Sequence, residues 1–152
     1  MNAANILIGA LAGGFCGFAF YRFCIWANAE DAARRFPELR IRVPQGAEQD
    51  PLFRIWCDAS RYFPQADGSY RSPRAFLSAL SGEIRFEGKD MVVQEVADIG
   101  FWRRRFALNA PVPLAHRVRR RKIRQLNKLL RHWQLPETDD QFAFSFKRQP
   151  EK

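Results

Sequence analysis

The run from Ile6 to Trp26, ILIGALAGGFCGFAFYRFCIW, constrains this chain more than any other feature. It holds 21 residues and a single charge, Arg22. As a helix it is about 31 Å long, the thickness of a hydrocarbon core. Arg22 lies near its end, where a long side chain reaches the headgroups, and Tyr21 and Trp26 suit the same interface. The rival reading is a cleaved signal peptide, for which Ala27-Asn28-Ala29 would be the A-x-A site. Residues 1–5 carry no Lys or Arg, so the basic leader of a signal peptide is missing.

Gly9, Gly13 and Gly17 stand at i, i+4, i+8, a tandem GxxxG, and Gly14 with Ala10 widens the groove they make. Small residues in such a row let a second helix approach closely in lipid. The expected role of Gly9, Gly13, Gly14 and Gly17 is therefore packing against other transmembrane subunits. The helix is followed by Arg34, Arg35, Arg40 and Arg42 and preceded by no side-chain charge. The positive-inside rule then places the N-terminus outside and the tail on the matrix or cytoplasmic side.

The organisation expected is a short flank (1–5), a transmembrane helix (6–27), a mixed α/β soluble region (28–108), a Pro-rich linker (109–115), and a basic amphipathic helix with a C-terminal strand (116–152). In fold class this is a single N-terminal transmembrane α-helix followed by a small α+β, or extended and irregular, basic soluble tail. Pro37 should end the membrane helix, since the residue before a proline is pushed out of the α region. Leu39, Ile41 and Val43 alternate with Arg40 and Arg42 and read as a strand. Asp50-Pro51 starts a helix in which Leu52, Ile55, Trp56 and Ala59 recur at helical spacing. Pro64 to Ser72 reads as a loop. Ser72-Pro73 repeats the start signal, followed by Phe76, Leu77 and Leu80, with Gly82 as a C-cap. Glu83 to Val96 reads as a hairpin turning at Gly88-Lys89-Asp90. Ile99 to Leu108 fits a helix or a strand equally well. His116 to Gln134 is the clearest soluble helix, with Val118, Lys122 or Ile123, Leu126, Leu129, Leu130 and Trp133 along one side. Phe142, Phe144 and Phe146 alternate as a strand.

Charge is unevenly distributed. The chain carries 25 Lys and Arg against 16 Asp and Glu, a net of +9. Ile99 to Pro136 contains no acid and 11 cations: Arg103, Arg104, Arg105, Arg117, Arg119, Arg120, Arg121, Lys122, Arg124, Lys128 and Arg131. The expected partner of this segment is an acidic protein surface or anionic lipid headgroups, with nucleic acid as a further candidate. Replacing Arg119, Arg120 and Arg121 by Gln is expected to spare folding and to weaken attachment.

Catalytic signatures are missing. Cys16, Cys24 and Cys57 form no CxxC pair. His116 and His132 lie among arginines, and the carboxylates make no recognisable dyad. No phosphate loop or nucleophile elbow occurs. No metal and no cofactor are expected. The function expected is that of a non-catalytic, single-pass accessory or assembly subunit of a multi-subunit inner-membrane complex. The respiratory chain of mitochondria is the first host considered, and bacterial secretion or conjugation machines are the second. The alternative is a membrane-tethered RNA-, DNA- or ribosome-binding module acting through 103–131.

Overall fold

The computed structural model describes residues 3–74 and 79–139, with the side chains of the first helix described from Ala10 onward. Helix α1 (Ala3–Arg35) is continuous through 33 residues and stops before Pro37, as the proline requires. An antiparallel sheet domain with further helices follows. Strand β1 (Leu39–Arg42) leads through a 3-10 turn (Ala47–Gln49) into α2 (Pro51–Ser60). Strands β2 (Phe63–Pro64) and β3 (Tyr70–Arg71) form a short hairpin around the stretch expected to be loop, Pro64 to Ser72. Strands β4 (Leu80–Glu87), β5 (Asp90–Asp98) and β6 (Arg103–Ala107) complete the sheet, and α3 (His116–His132) closes the domain.

The sheet order is β1-β5-β4-β3-β2, with β6 also paired to β5. β1 and β6 share one edge of β5: β1 pairs with its first half and β6 with its second. The hairpin expected over Glu83 to Val96 is present and longer, and Gly88 takes the left-handed φ of +65° its turn needs. Ile99 to Leu108 resolves into a tight turn and a strand.

One helix expectation is corrected. Leu80 and Gly82 belong to β4, where they pair with Ala97 and Glu95. Ser72 bonds across to the same strand, its amide to the Gly82 carbonyl at 2.9 Å and its Oγ accepting from the Gly82 amide at 2.7 Å. The ladder to β5 thus outweighs the local helix-start signal at Ser72-Pro73. Gly82 is not a C-cap but a close-packing position: a Cβ there would overlap the Tyr62 hydroxyl. Phe76, Leu77, Phe142, Phe144 and Phe146 lie outside the described residues.

Side-chain alternation gives the sheet two unlike faces. Ile84, Phe86, Met91 and Val93 face a core shared with Phe53, Cys57, Ile123, Leu126, Leu129 and Leu130. Ala29 and Ala32 of α1 pack with Leu80, Ala97, Phe106, Ala107, Ala110 and Val112. Ala110 and Val112, in the stretch expected to be a linker, are therefore core, and α3 up to His132 packs on the same sheet as β1 and α2. The opposite face carries arginines around Glu83, which is 1% exposed; Arg71 and Arg105 hold it at 2.8 and 2.9 Å.

Helix α2 buries a face other than the one expected, and α3 departs from expectation in its first turn. In α2, Phe53 and Cys57 are buried while Leu52 and Ile55 are exposed. Phe53 is pinned by an aromatic cluster: stacked on Trp56 and Trp133, and edge-on to Tyr70 and Phe86. The Asp50 cap holds as expected, accepting from the Leu52 amide at 2.9 Å and also from Trp133 Nε1 at 2.7 Å. In α3, Val118 faces out and Arg119 faces in.

Candidate membrane helix and cationic surface

Helix α1 has two different halves. From Ala10 to Tyr21 every residue is exposed, including Phe15 at 74%. Further along, Ile25, Ala29 and Ala32 are buried in the domain. Alanines at i and i+3 allow the helix to sit close on the sheet, and Glu30 pairs with Arg104 of β6 at 2.9 Å. The segment Ala10–Arg35 is long and apolar enough to cross a membrane. A methyl group at Gly13, Gly14 or Gly17 would meet no atom within 4 Å, so these positions are open on the exposed half. Gly9 lies in the helical backbone of the same half.

The basic segment is much less free than its charge count suggests. Arg103 pairs with Asp98 at 2.8 Å, Arg104 with Glu30, Arg105 with Glu83, and Arg131 with Glu137 at 3.2 Å. Lys122 Nζ lies 2.7 Å from Glu95, whose side chain is fully buried. The expectation that Arg119 acts outward is corrected, because it is 4% exposed. Its guanidinium donates to the carbonyls of Leu108, Ala110, Val112 and Leu114. Phe106 presents its ring 5.4 Å away. Pro111 and Pro113 interrupt this stretch and deprive it of regular backbone pairing, so its carbonyls need a side-chain donor.

Arg117, Arg120, Arg121, Arg124 and Lys128 remain on the exposed side of α3. Four of them, Arg117, Arg121, Arg124 and Lys128, have no ion-pair partner among the described residues. Their spacing of 4, 3 and 4 puts them in one stripe about 17 Å long. Arg121 and Lys122 also line a cleft of about 360 Å³ with Arg61 and Arg74. Sequence reasoning missed Arg61 and Arg74, because both lie outside the acid-free basic stretch and only the fold brings them beside α3.

Groups with possible reactivity are dispersed. Among the described residues no cluster of three or more His, Cys, Asp or Glu could hold a metal. His116 and His132 are both exposed, at opposite ends of α3. Cys57 is buried, and desolvation, aided by the Asp58 charge, pushes its thiol up to about 12, so it remains protonated at neutral pH. No protein-family model matches the chain, and no curated protein or solved structure matches it.

Proposed function

We propose that this chain is a non-catalytic, single-pass accessory subunit. On this reading α1 crosses a membrane and packs by its glycine row against another transmembrane helix, while the sheet domain braces the inner face of the complex. One observation carries it: a single helix is apolar and exposed from Ala10 to Tyr21, then buries Ile25, Ala29 and Ala32 along one side in the domain. Exposed phenylalanines along a rod need an apolar surrounding, and a rod built into a domain core transmits its position to that domain. The burial of Ile25 and Ala29 also supports retention of the segment over its removal as a signal, since cutting after Ala29 would strip both from the core. Arg34 and Arg35 at the end of α1 support an inward-facing domain.

The test is the full-length chain extracted in mild detergent and run on a native gel, with co-migrating proteins identified. Gly13→Leu and Gly17→Leu put branched side chains where two backbones would meet. The expected result is loss of most of the high-mass band, with each variant still in the membrane fraction. Unchanged migration of both would overturn the packing role.

The cationic stripe supports a second reading, a tethered binder of phosphate-bearing surfaces. Four cations without an ion-pair partner among the described residues set its strength. Each phosphate neutralised contributes about 0.9 to the salt slope of duplex binding, so the slope is capped at about 3.6 rather than the roughly 10 that eleven cations would imply. Replacing Arg117, Arg121, Arg124 and Lys128 by Gln should abolish binding of the full chain to RNA and weaken attachment to anionic vesicles by up to about 1 kcal/mol per residue. A quadruple variant that binds like the parent over a salt series would reject this reading.

A further inference from the structure

The β5–β6 turn places an apolar tip beside the exit point of α1. Asp98 accepts from the Gly100 amide at 2.9 Å, the Ile99 amide donates to the Trp102 carbonyl at 3.1 Å, and Gly100 has a φ of +100°. This geometry pushes Phe101 out to 96% exposure, the highest of the large exposed apolar residues. The tip is not isolated. Trp102 lies 6.5 Å from Trp26 of α1, and Trp26 lies 5.6 Å from Phe23. Ile99 and Phe101 line one shallow groove with Arg22, Phe23 and Trp26, almost entirely apolar apart from Arg22. Arg103 and Arg104 follow at the base of the turn, Arg104 over the Trp102 ring at 5.4 Å.

We infer that residues 99–102 form a second membrane contact, with Phe101 seated in the interface of the same bilayer that α1 crosses. The inference rests on the spanning reading of α1 and goes beyond it. Aromatic rings favour the headgroup level, and Arg22 in the same groove is long enough to reach lipid phosphates there. A helix alone leaves a domain free to swing about its exit point. A contact offset from the helix axis fixes tilt and rotation, so the bilayer would hold the domain in one orientation.

The experiment uses the full-length chain in nanodiscs of mixed zwitterionic and anionic lipid. Cys16 and Cys24 are replaced by Ala, and Cys57, being buried, is left. Spin labels are placed singly at Phe101→Cys, at Gly13→Cys and at Lys89→Cys. Lys89 lies at the far end of β5, about 30 Å from the tip. Accessibility to a water-soluble nickel chelate and to oxygen is then measured. The expected pattern is chelate accessibility at 101 severalfold below that at 89, with oxygen accessibility raised, and the lowest chelate accessibility at 13. If 13 is protected and 101 matches 89, the interfacial contact is wrong while the span stands. If 13 is itself chelate-accessible, the span is wrong and the contact falls with it.

Discussion

Arg119→Gln will destabilise the domain by about 3–5 kcal/mol, against the 5–15 kcal/mol that a domain usually has in hand. The guanidinium spans four carbonyls, with Nε and Nη2 on Leu108 at 3.0 and 2.8 Å and Nη1 on Val112 at 2.9 Å. A glutamine is too short to reach them and has one donor group where arginine presents a fork. Each buried carbonyl left without a donor costs about 1–3 kcal/mol. The wall formed by Leu108, Ala110 and Val112 would then separate from the start of α3. Arg119→Lys should recover little, since one ammonium cannot serve carbonyls spread over several residues. Urea-dependent pulse proteolysis of the reconstituted chain measures the effect. Arg121→Gln is the control, an exposed change expected to stay within about 0.5 kcal/mol. An Arg119→Gln midpoint equal to that of the control would refute the buried role. The triple Gln replacement at 119–121, expected from sequence to spare folding, should fail through Arg119 alone.

The second large effect is at the Lys122–Glu95 pair. Nζ sits 2.7 and 3.0 Å from the two carboxylate oxygens, and Glu95 is fully buried in the middle of the sheet. Lys122→Met removes the counter-charge and leaves a carboxylate without compensation, which costs about 3–5 kcal/mol. Adding Glu95→Gln to it should restore most of the loss, because the buried charge is gone and methionine fills the lysine's stem volume. The same denaturation measurement on the two single variants and the double decides it. A double variant no more stable than Lys122→Met would show that the pair is not the source of the loss.

Features set by neighbours along the chain were readable in advance. The apolar run needs only its own composition, the end of α1 only Pro37, the start of α2 only Asp50-Pro51, and the β4–β5 hairpin only alternation about Gly88. The period of α3 was legible from Ile123, Leu126, Leu129 and Leu130. Its first turn was not: Val118 and Arg119 exchange the faces their polarity suggests, because the carbonyls of the 108–114 stretch select a donor there. Likewise, helix-start chemistry at Ser72-Pro73 lost to pairing with β5, a strand farther along the chain.

The cationic surface shows the division most clearly. Counting charge along residues 99–136 found eleven cations and no acid, and that count is correct. Glu30, Glu83, Glu95 and Asp98 lie outside that stretch in sequence, yet within 3 Å of Arg104, Arg105, Lys122 and Arg103 in space. The sequence alone therefore determined that a basic, membrane-length chain would have an apolar helix and an amphipathic basic one. Only the tertiary structure decided which cations are already neutralised and which four lack a partner among the described residues, because ionic attraction depends on distance through space and solvent, not on separation along the backbone.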